Sequence, residues 1–253
     1  MNFICRVSVL PLRAEPKHKA EMVSQVLFGE IVTEIQREND WIKVKCGYDD
    51  YEGWVEIKSL IVEDEINGIK FQKQVISTHT NIYYQSDSIW LHPGSEVIIN
   101  EQQQVFFKND WYQIKENSLL NLNNTCRIEE KLFNSAFQYL NTPYLWGGKS
   151  IAGIDCSGFI QMIFKINNIK LPRDAYQQAE LGVTVDFENI KQGDIAFFVN
   201  ENNKVTHVGM CLDSHKIIHS SGWVKIDTLT TDGIINTETD TLSHKLFSIK
   251  RFF

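Results

Sequence analysis

Gly153-Ile154-Asp155-Cys156-Ser157-Gly158-Phe159, continued by apolar Ile160, Ile163 and Phe164, is the stretch on which the fold turns. A loop ending in Asp, then small residues, then apolar positions at helical spacing predicts a helix start. The helix is expected over residues 156–166 and stops at Asn167-Asn168. A cysteine in its first turn lies at the positive end of the macrodipole, which favours thiolate, the nucleophilic form. The same placement also suits a buried structural cysteine, so a catalytic reading needs a base.

Upstream, Leu132, Phe133, Ala136, Phe137 and Leu140 recur at helical spacing until Asn141-Thr142-Pro143. Downstream the pattern turns to strands over residues 194–199, 206–212, 216–220 and 246–252. Helices followed by antiparallel strands predict an α+β domain. His207 interrupts one apolar strand and His219 the next. With Leu212-Asp213-Ser214 as the hairpin loop, His207 is expected directly opposite His219, on one face of the sheet. One imidazole then takes the thiol proton and the other orients it, which completes a Cys156–His207–His219 triad. Metal binding is the rival reading of paired histidines, but no third ligand is in reach except Cys156 or Asp155. His215 falls in the turn, and His18, His79, His92 and His244 are expected at the surface.

Before residue 126 the texture is short strands and turns, with a helical period conceivable only over residues 19–26. Gly94-Ser95-Glu96-Val97 echoes Gly29-Glu30-Ile31-Val32, and Asn109-Asp110-Trp111-Tyr112 echoes Asn39-Asp40-Trp41-Ile42. The spacing from glycine to tryptophan is 12 residues in the first copy and 17 in the second. Two small β-barrels are expected, over residues 1–62 and 69–125 and joined near residues 63–68, ahead of a catalytic domain over 126–253. Each barrel lies near the lower size limit for folding alone.

At 253 residues and net charge −7, the chain is an ordinary globular protein without the basic surface that nucleic acid requires. No apolar stretch is long enough for a bilayer span, and the residues before the first strand lack the marks of a secretory leader, so none is expected. A cytoplasmic monomer is expected, or an exported one if a leader has been trimmed. Five cysteines without a CxxC pair disfavour a disulfide framework and a structural zinc site.

Thr142-Pro143-Tyr144-Leu145-Trp146-Gly147-Gly148, the Cys156 stretch, Leu171-Pro172-Arg173-Asp174-Ala175-Tyr176, Gly193-Asp194-Ile195-Ala196 and Thr206-His207-Val208-Gly209 together resemble the NlpC/P60 peptidases, in that family's order. The resemblance implies a papain-like domain with Cys156 as nucleophile, His207 as base and His219 as third member. It implies cleavage after γ-D-glutamyl, before a diamino acid such as diaminopimelate or L-lysine, without metal or organic cofactor. Leu12-Arg13-Ala14-Glu15-Pro16 and Tyr51-Glu52-Gly53-Trp54-Val55 resemble the first SH3-like domain of the YkfC-type dipeptidyl-peptidases.

In those enzymes that domain closes the cleft and holds the free amine of an N-terminal L-alanine, roles that fall by motif position on Glu15 and Tyr51. Trp146, Asp155, Ser157 and Asp174 map onto cleft-lining, substrate-binding positions. Arg173 suits either a structural or a binding role, and Ala175 stands where relatives carry a substrate-contacting serine. The expected substrate is a murein tripeptide or tetrapeptide, and the expected product L-Ala-γ-D-Glu, in cell-wall peptide recycling. The alternative within the same chemistry is an exported wall endopeptidase with polymer-binding SH3-like domains. A non-catalytic binding protein is hard to reconcile with a complete triad.

Overall fold

The computed structural model describes residues 1–63, 72–84, 87–108, 110–115, 118–120 and 125–253, in two compact units, Met1–Asn124 and Thr125–Phe253. The expected junction at residues 64–68, and Asn109 of the second echo, lie outside the described residues.

The first unit begins with β1 (Asn2–Cys5), β2 (Val9–Arg13), β3 (Met22–Leu27), β4 (Ile31–Glu38), β5 (Trp41–Cys46), β6 (Glu52–Glu56) and β7 (Leu60–Val62). They form one antiparallel sheet in the order β3-β2-β6-β5-β4-β1-β7. Leu10, Leu12, Ile42 and Val44 are buried between less buried neighbours, the alternation of a strand with one face on a core. Residues 22–27 are strand, not helix: β3 pairs with β2 through Leu10↔Val26 and Leu12↔Ser24, and that ladder overrides the local period.

The second half contributes β8 (Gln72–Val75), β9 (Thr80–Tyr84), β10 (Asp87–Leu91), β11 (Glu96–Ile99), β12 (Val105–Phe107) and β13 (Asp110–Tyr112). Strands β8, β11, β12 and β13 make a four-stranded sheet and β9–β10 a hairpin, around Ile76, Ile82, Leu91, Val97, Ile99 and Val105. The longer glycine-to-tryptophan spacing accommodates β12, a strand inserted between the two echoes. Phe28 of the first half belongs to this second core, and the Glu96 N–H donates to the Phe28 carbonyl at 2.8 Å. The two halves of this unit thus share an interior, as modules of this size need. His92 is buried here rather than at the surface, and burial lowers its pKa to about 4.

The second unit opens with α1 (Ile128–Phe137), the short hairpin β14 (Lys149–Ser150) and β15 (Gly153–Ile154), then α2 (Cys156–Lys165) and α3 (Ala175–Ala179). The strands β16 (Val183–Thr184), β17 (Ile195–Val199), β18 (Val205–Cys211), β19 (Lys216–Ser221), β20 (Trp223–Leu229), β21 (Gly233–Asn236) and β22 (Thr241–Arg251) follow. Their order is β16-β22-β17-β18-β19-β20-β21, and β21 also pairs with β22, so six strands close on themselves. Ala196, Phe198, Cys211, Ile217, Leu229, Ile234 and Ile249 fill the interior. Helix α2, buried along its whole length, packs against β18 and β19. Among the described residues no disulfide joins any two of the five cysteines, and no helix is long and apolar enough to cross a membrane.

Candidate active site

Asp155 is the N-cap of α2: its Oδ1 accepts from the Gly158 N–H at 2.7 Å. The other oxygen accepts from the Gly147 N–H at 2.8 Å, and Arg173 forks onto both oxygens at 2.9 and 2.5 Å. Arg173 also donates to Ser157 Oγ at 2.9 Å. Asp155 and Arg173 are both buried, so this is a bidentate, charge-assisted pair sealed under the head of the helix. It holds Asp155 and Ser157 beside the nucleophile and gives Arg173 a structural part in fixing both. Gly158 is required by the same packing, because a Cβ there would lie 2.3 Å from the Gly148 carbonyl oxygen.

Cys156 therefore begins α2 in a fixed place. Its Sγ lies 4.0 Å from the Thr206 carbonyl oxygen and interacts with the backbone N–H of Val208, the residues on either side of His207. Burial, reinforced by the Asp155 carboxylate, pushes the thiol up to about 12, against Arg173 and the amides of Ser157 and Val208. Desolvation thus opposes the expected dipole-stabilised thiolate and favours a resting thiol. Tyr144 is electrostatically coupled to Cys156, and burial keeps its phenol protonated.

The β18–β19 register differs from the expected one. Gly209, not His207, stands opposite His219, and Cys211 pairs with Ile217, because the connecting turn is longer than three residues. A slip of two residues preserves the face. His207 Nε2 still meets His219 Nδ1 at 2.8 Å. Beyond it, His219 Nε2 lies 3.0 Å from Asp227 Oδ2, and Lys225 Nζ lies 3.1 Å from the same oxygen. Burial raises the Asp227 carboxyl, but bonds from His219, the Thr237 N–H and Lys225 outweigh it and hold the group well below the usual range.

An ionised Asp227 must accept, so His219 donates from Nε2 and accepts at Nδ1. His207 then donates from Nε2, which leaves its Nδ1 with the lone pair. Burial lowers the pKa of both imidazoles, so both are neutral at neutral pH.

His244 is not the plain surface residue expected. It is half-buried and stacks on His207 with ring centroids 4.0 Å apart, because closure of β21 on β22 pairs its backbone with Ile234. Asp227 was not among the expected site residues; its signal is a carboxylate in the strand-like run Val224-Lys225-Ile226-Asp227. With His207, His219 and His244 grouped, the third imidazole that a metal would need is present, contrary to expectation.

Trp146 is exposed, and Asp174 is half-buried in a capping box at the start of α3. Glu15 and Tyr51 belong to the first unit. Glu15 is exposed and paired with Lys17 at 2.6 Å, while Tyr51 packs on the first core. The pairing Arg13↔Trp54 brings the chain just after β2 and just before β6 to one rim of that sheet, so both residues lie there.

The NlpC/P60 family model matches residues 141–242, and the model of the bacterial dipeptidyl-peptidase SH3 domain matches residues 12–60. The chain is 30% identical over 214 residues to a γ-D-glutamyl-L-lysine dipeptidyl-peptidase of Bacillus subtilis, covering 78% of this chain and 71% of that one. It is 28% identical over 242 residues to the protein of the same name from Bacillus cereus, covering 85% and 73%. A crystal structure of an NlpC/P60 family protein from Bacillus cereus superposes with a TM-score of 0.85 over 99% of both chains, at 22% identity.

Proposed function

This chain belongs to the NlpC/P60 family of cysteine peptidases, and on that premise we propose that it cuts the γ-D-glutamyl–diamino acid bond of murein peptides that carry a free N-terminal L-alanine. The product is L-Ala-γ-D-Glu, and the setting is recycling of cell-wall peptides. Support comes first from the names of the relatives and the match to their SH3 domain. The observation that carries the chemistry is the ordered chain Asp227–His219–His207, with Cys156 against the peptide groups that flank its last member.

In this reading Nδ1 of His207 takes the Cys156 proton as the sulfur attacks the γ-glutamyl carbonyl carbon. The Cys156 N–H, at the head of α2, donates to the developing oxyanion. Collapse of the adduct expels the diamino acid's amine, which receives the proton held on His207. A thioester remains on Cys156. Water, deprotonated by the same nitrogen, then attacks the thioester and releases the dipeptide.

Amine recognition falls to Glu15 and Tyr51. A carboxylate that pairs with an ammonium gains a charge-assisted bond that a blocked terminus cannot supply. The decisive experiment compares hydrolysis of L-Ala-γ-D-Glu-diaminopimelate with its N-acetylated form. The free-amine peptide is expected to be strongly preferred; equal rates refute the dipeptidyl-peptidase reading and retain the peptidase, whereas no turnover of either peptide refutes both.

A further inference from the structure

We propose that His207, His219 and His244 form a site for a zinc-class divalent cation whose binding turns the hydrolase off. One ring nitrogen from each residue lies within 4.8 Å of the other two. Three imidazoles from three strands of a closed sheet are a donor set suited to zinc, not to calcium or magnesium.

The surroundings prepare each ligand. Asp227 holds Nε2 of His219 at 3.0 Å, so the Nδ1 lone pair faces the cluster, the carboxylate–histidine arrangement that supports metal-binding imidazoles. Nδ1 of His244 bonds Ser243 Oγ at 2.9 Å, which leaves Nε2 as its ligand atom. Nε2 of His207 bonds Nδ1 of His219 at 2.8 Å, so an ion takes the place of that bond and the two rings part to the roughly 3.3 Å that two nitrogens adopt on a tetrahedral zinc. His244 must adjust as well. Its ring lies 25° from parallel with His207, so it must turn out of the stack to aim at the ion. Its half-buried position on β22 permits that turn. The fourth position is left to water.

The proton balance explains inhibition. An ion that takes Nε2 of His207 displaces the proton there, and Nδ1 takes one up from solvent. The residue stays neutral, but its lone pair now belongs to the metal. Nothing remains to accept the thiol proton of Cys156. Inhibition thus rests on the peptidase reading above; binding does not.

Zinc chloride titrated into the full chain by calorimetry at neutral pH tests this, with hydrolysis followed in parallel. One zinc is expected per chain, H244A should weaken binding by about tenfold or more, and C156S should leave it within about twofold. H244N guards against loss of folding, since it keeps a polar side chain at the site. Hydrolysis should fall in step with occupancy and return with a chelator. Absence of stoichiometric binding overturns the proposal. So does binding that C156S abolishes while H244A and H244N preserve it, because the ion then sits on the thiol. Histidine-dependent binding by a chain that hydrolyses nothing keeps the metal site and rejects the peptidase reading.

Discussion

His219 Nε2 lies 3.0 Å from Asp227 Oδ2, and that bond decides which nitrogen of His207, one residue further along the chain of bonds, is free to accept a proton. Asp227→Asn tests the dependence. An asparagine amide can donate to Nε2 of His219, which favours a proton on Nδ1 and in turn one on Nδ1 of His207, the wrong nitrogen for the reaction. The expected result is a fall in kcat of about 10–100-fold with little change in KM, partly recovered by Asp227→Glu. A wild-type kcat in D227N shows that the aspartate only packs.

Much of this chain of bonds was legible in the sequence, and its limits have a physical cause. Side chains alternate on a strand, so His207 and His219 still share a face and touch, although a register slip of two, which the turn after Cys211 imposes, puts Gly209 in the place opposite His219 where His207 was expected. The head of α2 was legible because Asp155, the small residues and the apolar period are all local signals. Asp227 was not, because its contact with His219 is a diagonal one across the β19–β20 pair, set by a register in which Lys225 stands opposite His219. His244 was not, because only closure of the sheet through β21 and β22 brings it to His207. For the same reason the spacing of Gly94 and Trp111 signalled a repeat but not the strand β12 within it.

Gly209 stands opposite His219, and a Cβ at that position would lie 2.9 Å from the His219 Cβ and 2.7 Å from Ile217 Cδ1. Gly209→Ala therefore pushes on the orienting imidazole itself. Overpacking of this kind costs about 1–3 kcal/mol, to be read from denaturant unfolding. The fall in kcat should exceed that of a distant variant matched for stability, since His219 must move away from its bond with His207. Equal kcat in the two variants removes the link between this glycine and the relay.

Arg173→Met leaves the Asp155 carboxylate buried with its two backbone donors but without its cation. Breaking a buried pair from one side costs about 3–5 kcal/mol, so a large drop in melting temperature is expected. The same carboxylate caps α2 and anchors Gly147, so helix-start amides from residues 157–159 should lose hydrogen-exchange protection first. Uniform loss of protection across the second unit counts against this local account.

The last prediction follows from the protonation state of the resting site. Burial pushes the Cys156 thiol up to about 12 and lowers the His207 imidazole well below its ordinary value, so the pair rests as thiol and neutral base. Two pH profiles should then separate. Hydrolysis needs neutral His207, which is lost only as pH falls through a depressed pKa, so kcat/KM should persist at pH values where an ordinary histidine is protonated. Alkylation of Cys156 by iodoacetamide needs thiolate and should climb about tenfold per pH unit from pH ~7 to ~9 without a plateau. A preformed thiolate–imidazolium pair gives the opposite pattern: fast alkylation, already level at neutral pH. That plateau would show that the field of α2 outweighs burial, and that the proton leaves sulfur before substrate arrives.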